Sequence, residues 1–207
     1  MTNYLLRQST PAVLAALLIL LSGCRSSLPT RFYVLRSWPD SMSVKEWQAS
    51  TGERCVSIGV GPVKVADYLE RSQIVTRATP SEVKLADFDR WAEPLAQNIP
   101  RVLADNLSAL LCTKMVLVFP WRGAIPIDYQ IEVEILRLDG NLGGNVTLEA
   151  QWMAFGPKDL RKLVAIKRST FREPLDGQDY QALVSAESRA IAKLSQEIAR
   201  TLRDQMK

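Results

Sequence analysis

Hydrophobic positions fall into three regimes along the chain: one unbroken apolar run near the N-terminus, alternating stretches through the middle, and two stripes at helical spacing. The unbroken run covers residues 12–21, follows Arg7, and ends in Leu21-Ser22-Gly23-Cys24. Residues 31–35 are strand-like, and the polar stretch 37–54, with Pro39, predicts a loop holding a short helix near 44–49. Residues 55–65 alternate and are β-branched, with Gly59, Gly61 and Pro62 marking a bulge or an edge. A single helical turn at 67–71 and a strand at 73–77 follow. Asp89 then looks like the start of a helix, with Pro94 in its first turn and Leu95, Ile99, Leu103, Leu107 and Leu110 on one apolar face. Pro100 should bend that helix, because it lacks an N–H and crowds the preceding turn.

The second half is more regular. A short strand at 115–119 precedes a longer one at 127–138, where Tyr129, Ile131, Val133 and Ile135 alternate with Gln130, Glu132 and Glu134. The Gly- and Asn-rich segment 139–145 predicts a turn, and strands at 146–155 and 163–171 complete a three-strand meander. Residues 179–206 form a long amphipathic helix with Val184, Ile191, Leu194, Ile198 and Leu202 on one face. This order predicts an α/β protein, one mixed sheet with helices packed against it.

The N-terminal run has the layout of a signal peptide: a charged residue, a short apolar core and small residues before the cut. Its end at a cysteine makes it a lipobox, so Cys24 is expected to be the first mature residue, carrying lipid on its thioether and amine. The alternative is a membrane anchor, but ten apolar residues fall well short of the roughly 20 that span hydrocarbon as a helix. The expected organisation is therefore a signal peptide at 1–23, a lipidated tether at 24–30 and a folded domain at 31–207. Several acyl chains, at about 0.8 kcal/mol per buried CH₂, make such an anchor permanent. Arg25 follows the cysteine where an Asp would favour retention at the inner membrane, which points to the outer membrane and its periplasmic face. The six residues between Cys24 and Arg31 reach about 20 Å when extended, so the domain must sit close to its bilayer.

Charge adds little. The mature part carries 25 basic and 22 acidic residues, interleaved, for a net charge of +3, and no basic block suggests nucleic acid. Cys55 and Cys112 remain beyond Cys24. An oxidising periplasm permits a disulfide between them; two buried free thiols packing as small hydrophobes are the alternative.

Histidine is absent from the whole chain, which removes Ser-His-Asp and Cys-His sites and nearly all zinc-hydrolase sites. Glu132 and Glu134 share a strand face as an acid/base pair would, yet they alternate with apolar residues as on any solvated strand. Gly59-Val60-Gly61-Pro62 lacks the third glycine of a dinucleotide loop. The expectation is a non-enzymatic protein with no catalytic residue, no metal and no cofactor beyond the lipid on Cys24. Tyr68, Arg71 and Arg77 cluster in sequence and form a candidate partner surface. So do Trp91 and Glu93, which also suit a core cap and the positive end of a helix dipole.

Five phrases in order carry a resemblance: the lipobox, the stretch from Ile58 to Arg77 (IGVGPVKVADYLERSQIVTR), that from Phe88 to Leu95 (FDRWAEPL), Asn106-Leu107-Ser108, and Asp139-Gly140 leading to Val146-Thr-Leu-Glu-Ala-Gln-Trp152. Together they resemble the PqiC (YmbA) family of ABC-type transport auxiliary lipoproteins, over essentially the whole mature chain. The resemblance implies a three-layer α/β domain with helices on both faces of a mixed sheet. It also implies an outer-membrane lipoprotein that docks or gates a periplasm-spanning MCE-domain protein in intermembrane lipid transport, with self-association as a further expectation. Cys55, Cys112 and Pro100 lie outside the family pattern. A lipid carrier with a pocket between sheet and helices, and a pilotin-like envelope-assembly lipoprotein, are the competing readings.

Overall fold

A computed structural model describes residues 29–37, 55–121, 125–156 and 162–206. The signal peptide, Cys24 and the short helix expected near 44–49 lie outside these residues. The elements in order are β1 (Arg31–Tyr33), β2 (Val56–Val65), a 3₁₀ turn (Asp67–Leu69), β3 (Gln73–Thr79), β4 (Glu82–Trp91) and α1 (Leu95–Leu110). They continue with β5 (Thr113–Val118), β6 (Tyr129–Gly140), β7 (Asn145–Phe155), β8 (Leu163–Pro174) and α2 (Tyr180–Met206).

The strands form two sheets. The larger has the order β5-β2-β6-β7-β8, and the smaller the order β1-β4-β3. β2 pairs in parallel with both β5 and β6, whereas β6, β7 and β8 form the antiparallel meander. The sheet is therefore mixed, as the element order suggests, and the long C-terminal helix is present. The one sheet expected is instead two, because residues 82–91 form a strand that the sequence conceals. Glu82, Val83, Lys84 and Leu85 are all exposed in succession, so no alternation marks them. Asp89, which looks like a helix start, is in β4, and the helix begins six residues later at Leu95.

Burial follows from the patterns. Tyr129, Ile131, Val133 and Ile135 of β6 are buried, and α1 packs over β2 and β5 while α2 packs over β7 and β8. Because α1 and α2 also pack against each other, both lie side by side on the same face of the larger sheet. The predicted stripes of α1 and α2 fill the gap between them and the strands. Inside it, Asn106 donates to Ser195 Oγ at 3.0 Å, a buried polar link between the helices. Asp179 Oδ1 accepts the Ala182 N–H at 2.8 Å and so caps α2. At the other end Arg203 donates to the Leu110 carbonyl at 2.6 Å, satisfying a last-turn acceptor of α1. α1 runs through Pro100 without a break in helical assignment.

Candidate functional site

Residues 31–36 root the first described strand in the body of the domain. β1 pairs in parallel with β4, Arg31 opposite Asp89 and Tyr33 opposite Trp91. Arg31 and Tyr33 both donate to the buried Asp89 carboxylate, at 3.1 and 2.8 Å. Burial, then that donation to Asp89, pushes the Tyr33 phenol up to about 12. Leu35 and Arg36, just past β1, fasten to the helices: the Leu35 N–H donates to Asn98 Oδ1 of α1 at 2.7 Å. The Arg36 N–H donates to Ser188 Oγ of α2 at 3.2 Å. A six-residue span of chain is thus bonded to the small sheet and to both helices. Sequence reasoning missed Asp89 and Asn98, because the first resembles a helix cap and the second sits in an apolar helix with nothing to mark its partner.

Of the candidate partner residues, Tyr68 and Arg77 do come together, but around a buried carboxylate. Arg77 grips Asp139 with two hydrogen bonds, both at 2.8 Å. Tyr68 donates to Asp139 at 2.7 Å, and Arg137 Nε also donates to Asp139 at 2.9 Å, while the Arg77 guanidinium lies 5.7 Å from the centre of the Tyr68 ring. Burial alone would raise the Asp139 carboxyl; the hydrogen bonds from Arg77, Tyr68 and Arg137 overcome it and hold the pKa below its ordinary value. Burial, then donation to Asp139, lifts the Tyr68 phenol to about 12. Arg77 of β3 and Tyr68 of the preceding 3₁₀ turn, both half-buried, are thereby joined to β6. Trp91 is likewise buried in the core, and Glu93 pairs with Arg101 of α1. Arg71 is exposed.

Cys55 and Cys112 are joined as a disulfide, with their Cα atoms 4.5 Å apart. The bond ties the start of β2 to the link between α1 and β5, where the Val56 N–H also donates to the Cys112 carbonyl at 3.1 Å. Among the described residues no group of three or more His, Cys, Asp or Glu side chains could hold a metal ion. No described helix is long and apolar enough to cross a membrane.

The fold and this root define a class: a mixed α/β domain whose first described strand is bonded to the small sheet and, just beyond it, to both helices. The chain belongs to the family of ABC-type transport auxiliary lipoprotein components, whose model matches residues 33–199. It is 28% identical, over 186 residues, to the intermembrane transport lipoprotein PqiC of Escherichia coli strain K12 and equally to that of Shigella flexneri. That alignment covers 87% of this chain and 92% of either relative. The fold is shared with a crystal structure of an uncharacterized protein, with a TM-score of 0.67 and 19% identity, covering 84% of this chain and 99% of that one. A Xanthomonas campestris protein gives 0.65 and 17%, covering 84% and 97%.

Proposed function

We propose that this protein is an outer-membrane lipoprotein, anchored through Cys24, that docks or gates a periplasm-spanning MCE-domain protein in intermembrane lipid transport. The family match from residue 33 to 199 carries this reading, supported by relatives named as intermembrane transport lipoproteins over 92% of their length. The geometry gives it a mechanism. A tether of six residues holds the domain within about 20 Å of the lipidated cysteine, and the bonds from Arg31, Tyr33, Leu35 and Arg36 pass any pull on the tether into both layers. A domain held that close cannot bridge two membranes, so the long element must be the partner.

The test has two arms. Metabolic labelling with palmitate and sucrose-gradient fractionation should find the wild type acylated and in the outer membrane, and Cys24→Ser unacylated and released. Affinity purification in mild detergent should recover an MCE-domain protein. Inner-membrane fractionation, or failure to recover that partner, would overturn the reading.

A further inference from the structure

The small sheet has two unlike faces. Asp89 and Trp91 of β4 point inward and are buried, as part of the root described above. The opposite face carries Arg90 and Phe88, the less buried members of the local alternation that runs from Phe88 to Trp91. Phe32 stands opposite Arg90 in the β1–β4 register, so Phe32 and Phe88 are diagonal neighbours on this outer face. Phe32 is 65% exposed, Phe88 38%, and Val34, two residues past Phe32, 45%. Two aromatic rings and a valine gathered at one exposed place form a patch of the kind that marks contact with an apolar or interfacial surface.

Two observations say which surface. Phe32 follows Cys24 by eight residues, a span of at most roughly 26–29 Å in extended chain, so the patch is held beside whatever bilayer takes the acyl chains. The same stretch, residues 25–36, carries Arg25 and Arg36 besides the Asp89-paired Arg31, and no acidic residue, which suits anionic headgroups.

We propose that the outer face of the small sheet is a bilayer-contacting surface, with Phe32 and Phe88 seated among the phospholipid headgroups of the leaflet that holds the Cys24 acyl chains. A flexible tether alone would let the domain tumble against its membrane. A seated aromatic face fixes its orientation, since a ring at the interface keeps its apolar body out of water. The large sheet and the two helices are then presented to the periplasm in one attitude. The inference rests on the lipidation of Cys24 proposed above.

The experiment uses the full lipidated chain in vesicles of phosphatidylethanolamine and phosphatidylglycerol. The photoreactive residue p-benzoylphenylalanine replaces Phe32, Phe88 or, as a control, Ile166. Ile166 is 56% exposed in β8, so it offers the probe an equally open site on the other sheet. After irradiation, phospholipid adducts at positions 32 and 88 should exceed those at 166 several-fold. Equal labelling at all three positions, or cross-links at 32 and 88 chiefly to a second copy of the chain, would overturn the inference. The mass of the N-terminal peptide is measured in the same samples. An unacylated Cys24 overturns the anchoring and this inference with it, whereas acylation without a face preference overturns this inference alone. All three positions are on the surface, and an unchanged thermal midpoint verifies that each variant is folded.

Discussion

Arg77 of β3 and Asp139 of β6 form a two-pronged ion pair, both hydrogen bonds at 2.8 Å, around a carboxylate with no solvent exposure. This pair is the principal polar weld between the two sheets. A buried charge whose partner is removed keeps its desolvation cost and loses its compensation, typically about 3–5 kcal/mol. Arg77→Ala should therefore destabilise the domain by about that much in urea unfolding, while Tyr68→Phe, which removes one hydrogen bond to the carboxylate, should cost about 1.5–3 kcal/mol. A loss below 1 kcal/mol for Arg77→Ala would mean that Arg137 alone holds the carboxylate. The sign with pH follows from the lowered Asp139 value. The contribution is complete above the unfolded carboxyl's pKa of about 3.9 and is lost as the pH falls through the lower folded value, so Arg77→Ala should also flatten the acid limb of the stability curve.

Glu187 of α2 gives the opposite sign. Burial first, then the nearby Asp139 charge, holds its carboxyl well above the ordinary range, so the folded protein keeps a proton there that the unfolded chain releases. Its stability contribution is complete below the unfolded pKa of about 4.3 and falls as the pH rises toward the folded value, with a limiting slope of about 1.4 kcal/mol per pH unit. Glu187→Gln keeps the shape and removes the titration. The variant should match the wild type near pH 4 and exceed it increasingly toward pH 8. Parallel stability curves across that range would refute the assignment.

How far the sequence alone reveals these arrangements differs from element to element. The meander was legible because Tyr129, Ile131, Val133 and Ile135 are buried in strict alternation, and α2 because its stripe is long and unbroken. The small sheet was not. β4 exposes four residues in succession and then buries Ala86, Asp89 and Trp91, with its register against β3 shifting on the way, so no single two-residue period runs through the whole strand. The grouping of Tyr68 with Arg77 was visible, but its reason was not, since Asp139 lies 62 residues beyond Arg77 and looks like turn chemistry beside Gly140. Tertiary contacts supply the partner that makes those residues inward-facing. The cysteine pair was ambiguous for a related reason: sequence gives spacing, and a disulfide needs proximity.

That disulfide links residues 57 apart in sequence. Closing a loop of that length removes unfolded-chain entropy worth about 4 kcal/mol, and losing a native bridge typically costs about 2–5 kcal/mol. The Cys55→Ser/Cys112→Ser double variant should lose stability within that range in thermal or urea unfolding. Reductant should bring the wild type to the same value and leave the variant unchanged. A wild type indifferent to reductant would show that the two thiols are free.

Asn98 offers a test of the tether's root that global stability would miss. Its Oδ1 accepts the Leu35 N–H at 2.7 Å in a buried setting, so Asn98→Ala leaves a backbone donor without its acceptor, at a cost of about 1–3 kcal/mol. The strand it secures is only three residues long and is the edge of its sheet, so the chain there can peel away without unfolding the core. Hydrogen–deuterium exchange should speed up at residues 31–36 while the amides of β6 and β7 keep wild-type protection. If the proposed anchoring and docking hold, this variant should remain anchored, because the N-terminal segment is unchanged, but recover less of the proposed MCE-domain partner. Uniform acceleration through the larger sheet would instead make Asn98 a general core residue, with no special part in passing load from the anchor to the domain.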